Sequence, residues 1–217
     1  MRENVVQAAL RHKVIAIARG VAPEQSLPLA RALYAGGIRL LELTFAQKEP
    51  ESFRQTAASI ARLRQEFGEE MFMGAGTVLT VEQAELAHEA GAQFIVSPDV
   101  NADVIRRTVE LGMASFPGAM TPTEVMTAHR AGADLVKLFP VARLGAAYVK
   151  DLVAPISHVP LLAVGGVNVD NAAEFLKAGC VGVGVGGQLV NKEKIAAGDW
   201  AGITETARRM MAAVEQG

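Results

Sequence analysis

Short runs of β-branched and apolar residues alternate along the whole chain with longer segments whose apolar positions recur at helical spacing, the pattern of repeated strand–helix units around a parallel sheet. Eight such runs occur: VIAIA near residue 14, RLLELTF near 39, MFMGAG near 71, QFIVS near 93, ASFPG near 114, DLVKLF near 134, PLLAV near 160 and VGVGVG near 181. The intervening segments, among them PEQSLPLARALYAGG, TVEQAELAHEAGA, NADVIRRTVELGM, TPTEVMTAHRAGA and NVDNAAEFLKAGC, mostly end at the glycine expected just past a helix C-terminus. Several open with Thr or Asn, which predicts an N-cap. Eight units in tandem predict an α/β fold of the (β/α)8 TIM-barrel type. An open doubly wound sheet has fewer strands and a Gly-rich first turn that this chain lacks. No linker-like or low-complexity tract interrupts the alternation, so one domain is expected over residues 1–217. Ahead of the first strand, MRENVVQAALRHK reads as an amphipathic N-terminal helix.

Composition narrows the partners. Half of the 217 residues are apolar, enough for a domain that buries roughly 70% of its unfolded surface. The formal net charge is -2, with neither a Lys/Arg cluster nor an acidic tail, so neither nucleic acid nor an anionic membrane is an expected partner, and a small molecule is. The single cysteine, Cys180, rules out an internal disulfide, fits a reducing compartment and reads as core filler. No apolar run approaches the length of a membrane span and the charged N-terminal segment is unlike a signal peptide, so a cytoplasmic protein is expected.

Active sites of such barrels lie at the C-terminal ends of the strands. Side chains alternate in direction along a strand. Ile15, Ile17 and Arg19 therefore share one direction, as do Leu40, Glu42 and Thr44, and Leu135, Lys137 and Phe139. If these point inward, Arg19, Glu42, Thr44 and Lys137 converge on the barrel mouth. Charged residues inside DLVKLFP and RLLELTF are costly unless paired or functional. A poorly solvated lysine has a lowered pKa and hence more free amine to attack a ketone. A structural Lys137–Glu42 ion pair is the competing reading, and the joint inward placement favours chemistry over it.

Glycine clusters supply a second signal. GAGTV (74 to 78), VGGV (164 to 167) and GVGVGGQ (182 to 188) fall at strand ends, where a missing side chain lets backbone N–H groups approach an anion. The last two follow strands seven and eight, the usual phosphate position of this fold. His12, His88, His129 and His158 are scattered, with no pair at ligand spacing, so no metal is expected. P-loop, nucleophile elbow and dinucleotide fingerprint are all missing, and no cofactor is expected.

LELTF, GAGTV, FIVSPD, FPGAMTPTE, LVKLFP and AVGGVN, in this order and spacing, resemble the 2-keto-3-deoxy-6-phosphogluconate aldolase family, also described as 4-hydroxy-2-oxoglutarate aldolase. The similarity runs from about Val14 to about Val190. It implies a trimeric class I aldolase of the Entner–Doudoroff pathway, a carbon–carbon lyase acting on 2-keto acid and aldehyde substrates. Lys137 would form the Schiff base and Glu42 would shuttle protons. By the same resemblance Thr44 and Thr77 line the pyruvyl pocket, Pro98 and Phe139 shape it, and Gly165, Gly166, Gly186 and Gly187 hold a distal phosphate. Two departures stand out. Some members carry a carboxylate-gripping Arg where this chain has Ala46; others have it at the end of strand one, where Arg19 stands here. Many relatives also have a phosphate-binding Ser at the position of Gly187. Two other readings remain in play: a phosphate-binding barrel isomerase or synthase in which Lys137 only neutralises charge, and a sugar-phosphate sensor without turnover.

Overall fold

Every apolar run of the sequence forms a strand. The computed structural model, which describes residues 1–217, contains β1 (Val14–Ala18), β2 (Leu40–Thr44), β3 (Phe72–Gly76), β4 (Phe94–Val96), β5 (Ala114–Phe116), β6 (Gly118–Ala119), β7 (Val136–Leu138), β8 (Leu161–Val164) and β9 (Gly182–Val185). All pairings are parallel, in the order β5-β4-β3-β2-β1-β9-β8-β7-β6. The two ends of this order, β5 and β6, are consecutive pieces of one segment separated by Pro117, so the sheet curls into a TIM-type barrel. The ASFPG run is thus split where one strand was expected. Proline has no N–H for the ladder. Ala114–Phe116 pairs with β4, Gly118–Ala119 with β7, and the Pro117 carbonyl still accepts from the Lys137 N–H at 2.8 Å.

Helices α1 (Arg2–His12), α2 (Pro23–Ala35), α3 (Phe53–Phe67), α4 (Val81–Glu89), α5 (Ala102–Glu110), α6 (Pro122–Ala131), α7 (Gly145–Val153), α8 (Ala172–Lys177), α9 (Lys192–Ala196) and α10 (Trp200–Val214) complete the fold. The cap signals act where the sequence puts them: Thr80 and Asn101 accept from N–H groups of the first turns of α4 and α5, and Thr121 with Glu124 forms a capping box on α6. The segment that opens with Asn168 is the exception: Asn168 Oδ1 accepts from the N–H groups of Asp170 and Asn171, and the residue that stands at the N-cap of α8 is Asn171, whose side chain makes no cap bond. Asn171 Oδ1 accepts instead from the Asn168 N–H at 2.8 Å, ordering the turn before α8.

Strand alternation divides the apolar residues into two cores. Outward residues such as Val14, Ala16, Leu41, Leu43, Val136 and Leu138 pack under the helices. Inward residues, including Ile15, Ile17, Leu40, Phe94, Phe116 and Leu135, fill the barrel together with Val5, Ala8 and Ala9 of α1. The N-terminal helix therefore closes the bottom of the barrel, opposite the mouth at which β2 and β7 end. Burying each large apolar side chain contributes about 1.5–3 kcal/mol, which offsets the cost of the ionisable residues held above this floor. Cys180 lies in the outer core, where burial pushes its thiol up to about 12.

Candidate active site

Glu42 follows the inward Leu40 on β2, and Lys137 follows the inward Leu135 into β7. Both are almost sealed from solvent, at 1% and 5% exposure. They border one narrow apolar gap with Ile15, Ile17, Val96 and Leu162. The ion pairs of the protein include neither residue. Glu42 Oε2 has no hydrogen-bond partner, and the Lys137 ammonium position lies 4.6 Å from the centroid of the Phe139 ring. The competing structural ion pair is therefore not formed.

Burial disfavours both charges. It raises the pKa of the Glu42 carboxyl against the opposing pull of Lys137 and Arg19. It lowers that of the Lys137 amine, opposed by Glu42 and assisted by Arg19. Both shifts run toward the neutral form: a free amine able to attack and a carboxyl able to give a proton.

Room for the carboxylate comes from the neighbouring strand. Thr44 pairs in register with Gly76, and a Cβ at Gly76 would lie 2.8 Å from Glu42 Oε1 and 3.0 Å from Thr44 Cγ2. Only glycine fits there. A cavity of about 360 Å³ opens from Lys137 toward the mouth, walled by Arg19, Phe139, Gly165, Gly166, Gly186 and Gly187. Arg19 is exposed and joins no ion pair. The N–H groups of Gly166, Val167, Gly187 and Gln188 donate no hydrogen bond within the chain, which leaves donors free along the glycine wall. Gly165 and Gly166 have φ of 93° and 83°, left-handed values that favour glycine.

Three of the sequence-derived residues sit elsewhere. Thr44 is buried at the end of β2 and borders a separate cavity of about 270 Å³ between α2 and α3. Thr77 and Pro98, both half-buried, lie in the turns after β3 and β4. Thr77 has φ 57°, a strained value for a β-branched residue that surrounding contacts must hold. The Pro98 carbonyl lies 2.5 Å from where a Cβ of Gly118 would be. Ile17, Val164, Asn168 and Gln188 also border the main cavity. Strand alternation finds Ile17 and Val164, which lie on inward strand positions, whereas Asn168 and Gln188 needed the loop geometry.

Comparison with known proteins decides the family. Residues 5–206 match the family described as KDPG and KHG aldolase. The chain belongs to this family. It is 38% identical over 177 residues to the 2-dehydro-3-deoxy-6-phosphogalactonate aldolase of Escherichia coli K12, a match covering 81% of this chain and 83% of that protein. It is 37% identical over 209 residues to the 2-dehydro-3-deoxy-phosphogluconate aldolase of Treponema pallidum, covering 96% of each. Among solved structures, the KDPG aldolase of Legionella pneumophila with pyruvate captured at low pH as a covalent carbinolamine intermediate superposes with a TM-score of 0.85 at 30% identity, over 97% of this chain and 98% of the other. As a KDPG and KHG aldolase family member the protein is a carbon–carbon lyase.

Proposed function

We propose that this protein is a class I aldolase, a single domain of 217 residues, that cleaves 2-keto-3-deoxy-6-phospho sugar acids, and 4-hydroxy-2-oxoglutarate, to pyruvate and an aldehyde. The observation that carries this reading is the burial of Lys137 and Glu42 on inward strand positions, unpaired and shifted toward neutrality, at the base of a cavity open to solvent. The Lys137 amine attacks the C2 ketone, and Glu42 moves protons as the carbinolamine forms and loses water. The resulting protonated imine is an electron sink. Glu42 removes the proton of the C4 hydroxyl, the C3–C4 bond breaks, and its electron pair passes into the C2–C3 double bond of an enamine as the aldehyde leaves. Protonation at C3 and hydrolysis release pyruvate and restore the amine.

Arg19 and Thr77 would take the substrate carboxylate, with Thr44, Pro98 and Phe139 shaping the pyruvyl end. Gly165, Gly166, Gly186 and Gly187 would meet the phosphate through backbone N–H groups. The covalent pyruvate complex of the Legionella relative supports the same chemistry here. By family likeness the working form would be a cytoplasmic homotrimer; no helix is long and apolar enough to cross a membrane.

Borohydride trapping tests the proposal. Reduction in the presence of pyruvate should fix a three-carbon adduct on Lys137, located by peptide mass mapping. An adduct on another lysine, or none at saturating pyruvate, overturns the mechanism, and the second result is what a phosphate-binding isomerase or a sensor would give.

A further inference from the structure

The turn after β3 is held by side chains from outside it. Gln47 Nε2 donates to the Thr77 carbonyl at 2.6 Å, and Ser97 Oγ donates to the Val78 carbonyl at 2.6 Å. The Leu79 N–H donates to Gln83 Oε1 at 2.7 Å, and Asn101 Nδ2 donates to the Leu79 carbonyl at 3.3 Å. Gln83 Nε2 in turn donates to Gln47 Oε1 at 2.9 Å. A primary amide is the neutral side chain that offers a donor and an acceptor on one rigid plane. Two of them in series therefore close a circuit from the Leu79 N–H through Gln83 and Gln47 back to the Thr77 carbonyl. Gln83 is 6% exposed, whereas Gln47 is exposed on the loop that follows the strand of Glu42 and Thr44.

We propose that Gln83 and Gln47 are positioning residues of the active site, an amide relay that holds Thr77 left-handed and ties the loop after β2 to the turn after β3, where the Schiff-base reading puts the substrate carboxylate. The proposal rests on the Schiff-base reading and deepens it. Beside the relay, the Phe45 N–H donates to the carbonyl of Gly76 at 2.9 Å, so the β2 segment grips the chain on both sides of the Thr77 amide. Thr77 keeps φ at 57° without glycine's freedom, and the relay caps the carbonyl that this conformation turns outward. An exposed amide contributes little to global stability, so a role for Gln47 is read in substrate binding rather than in melting.

The test is a double-mutant cycle on Gln47→Ala and Gln83→Ala, with Gln47→Glu as the variant that keeps the shape and loses the donor. KM for pyruvate in adduct formation, KM and kcat for cleavage, and melting temperature are measured for each. Every variant should raise KM for pyruvate roughly two- to tenfold, the worth of one neutral hydrogen bond. Melting of Gln47→Ala and the cleavage kcat should stay close to wild type. The double variant should be no worse than Gln83→Ala alone, because the two amides act as one unit. An unchanged KM in Gln47→Ala, or effects that multiply in the double variant, overturns the relay while the Schiff-base reading stands. A wild-type protein that forms no pyruvate adduct overturns both.

Discussion

Strands β2 and β7 place ionisable side chains on inward positions, while β9 places only glycine on its own and β3 follows the inward Phe72 with two glycines. Glu42 and Lys137 project into the barrel; Gly74, Gly76, Gly182 and Gly184 project nothing, and the space they leave is taken by others. A Cβ at Gly74 would stand 2.4 Å from Phe94 Cε2, one at Gly76 2.8 Å from Glu42 Oε1, and one at Gly184 2.8 Å from Val164 Cγ2. The glycine strands are thus the mould and the charged strands the cast. Neighbouring side chains take up the glycine volume, and the reacting pair is almost sealed from solvent. The mouth reverses the division: donors there are backbone N–H groups, and the guanidinium that lines it, that of Arg19, is exposed.

The sharpest break in this comparison is Lys137→Met. It should remove pyruvate trapping entirely and lower turnover by about four orders of magnitude or more, as loss of a nucleophile does elsewhere. The fold should survive, since an apolar side chain of similar length suits the site and no longer bears the cost of burying a cation. The linkage gives a further signature. Because burial sets the folded-state pKa of Lys137 below its ordinary 10.5, the unfolded chain binds the extra proton between those two values, and stability rises with pH across that window. Urea unfolding as a function of pH should show this rising limb in the wild type and a flatter one in Lys137→Met.

Arg19→Ala acts at the other end of the cavity and should cost less. Loss of a charge-assisted bond is worth about 1.5 to 3 kcal/mol, or roughly ten- to a hundredfold in kcat/KM for every pyruvyl substrate. Adduct formation on Lys137 at saturating pyruvate should persist. Near-full kcat/KM in this variant would remove Arg19 from the site.

Strand periodicity alone exposed Arg19, Glu42 and Lys137, since a period of two residues needs no tertiary information, whereas Thr44, read by the same rule, borders the separate cavity between α2 and α3. The glycine that accommodates Glu42 was not legible, because the match of Thr44 with Gly76 depends on cross-strand register. Pro117 lay inside a run read as one strand, and its effect appears only when two different neighbours compete for the two halves. Gln47 and Gln83 stand 36 residues apart, without a motif to mark them. His129 and His158 likewise show no ligand-like spacing, yet the fold brings their rings edge to face at 5.3 Å.

The smallest expected effect separates the glycines from one another. Gly165 and Gly166 cannot accept a side chain: both have left-handed φ, and a Cβ would lie 3.0 Å from Phe139 Cδ2 in one and 2.6 Å from Ala142 Cβ in the other. Gly187 has no such constraint, with no left-handed φ and no atom within 4 Å of an added Cβ. Gly187→Ser should therefore fold normally and add one hydroxyl donor beside the free N–H groups of Gly187 and Gln188. A hydrogen bond to a charged phosphate is worth about 1.5 to 3 kcal/mol when fully desolvated and nearer 0.5 to 1.5 at an open mouth. KM for the six-carbon phosphorylated substrate should fall by roughly two- to tenfold, while KM for 4-hydroxy-2-oxoglutarate, which has no phosphate, stays unchanged. Steady-state kinetics on the two substrates read this directly. Equal changes on both, or none on either, would mean that the phosphate lies away from the loop after β9.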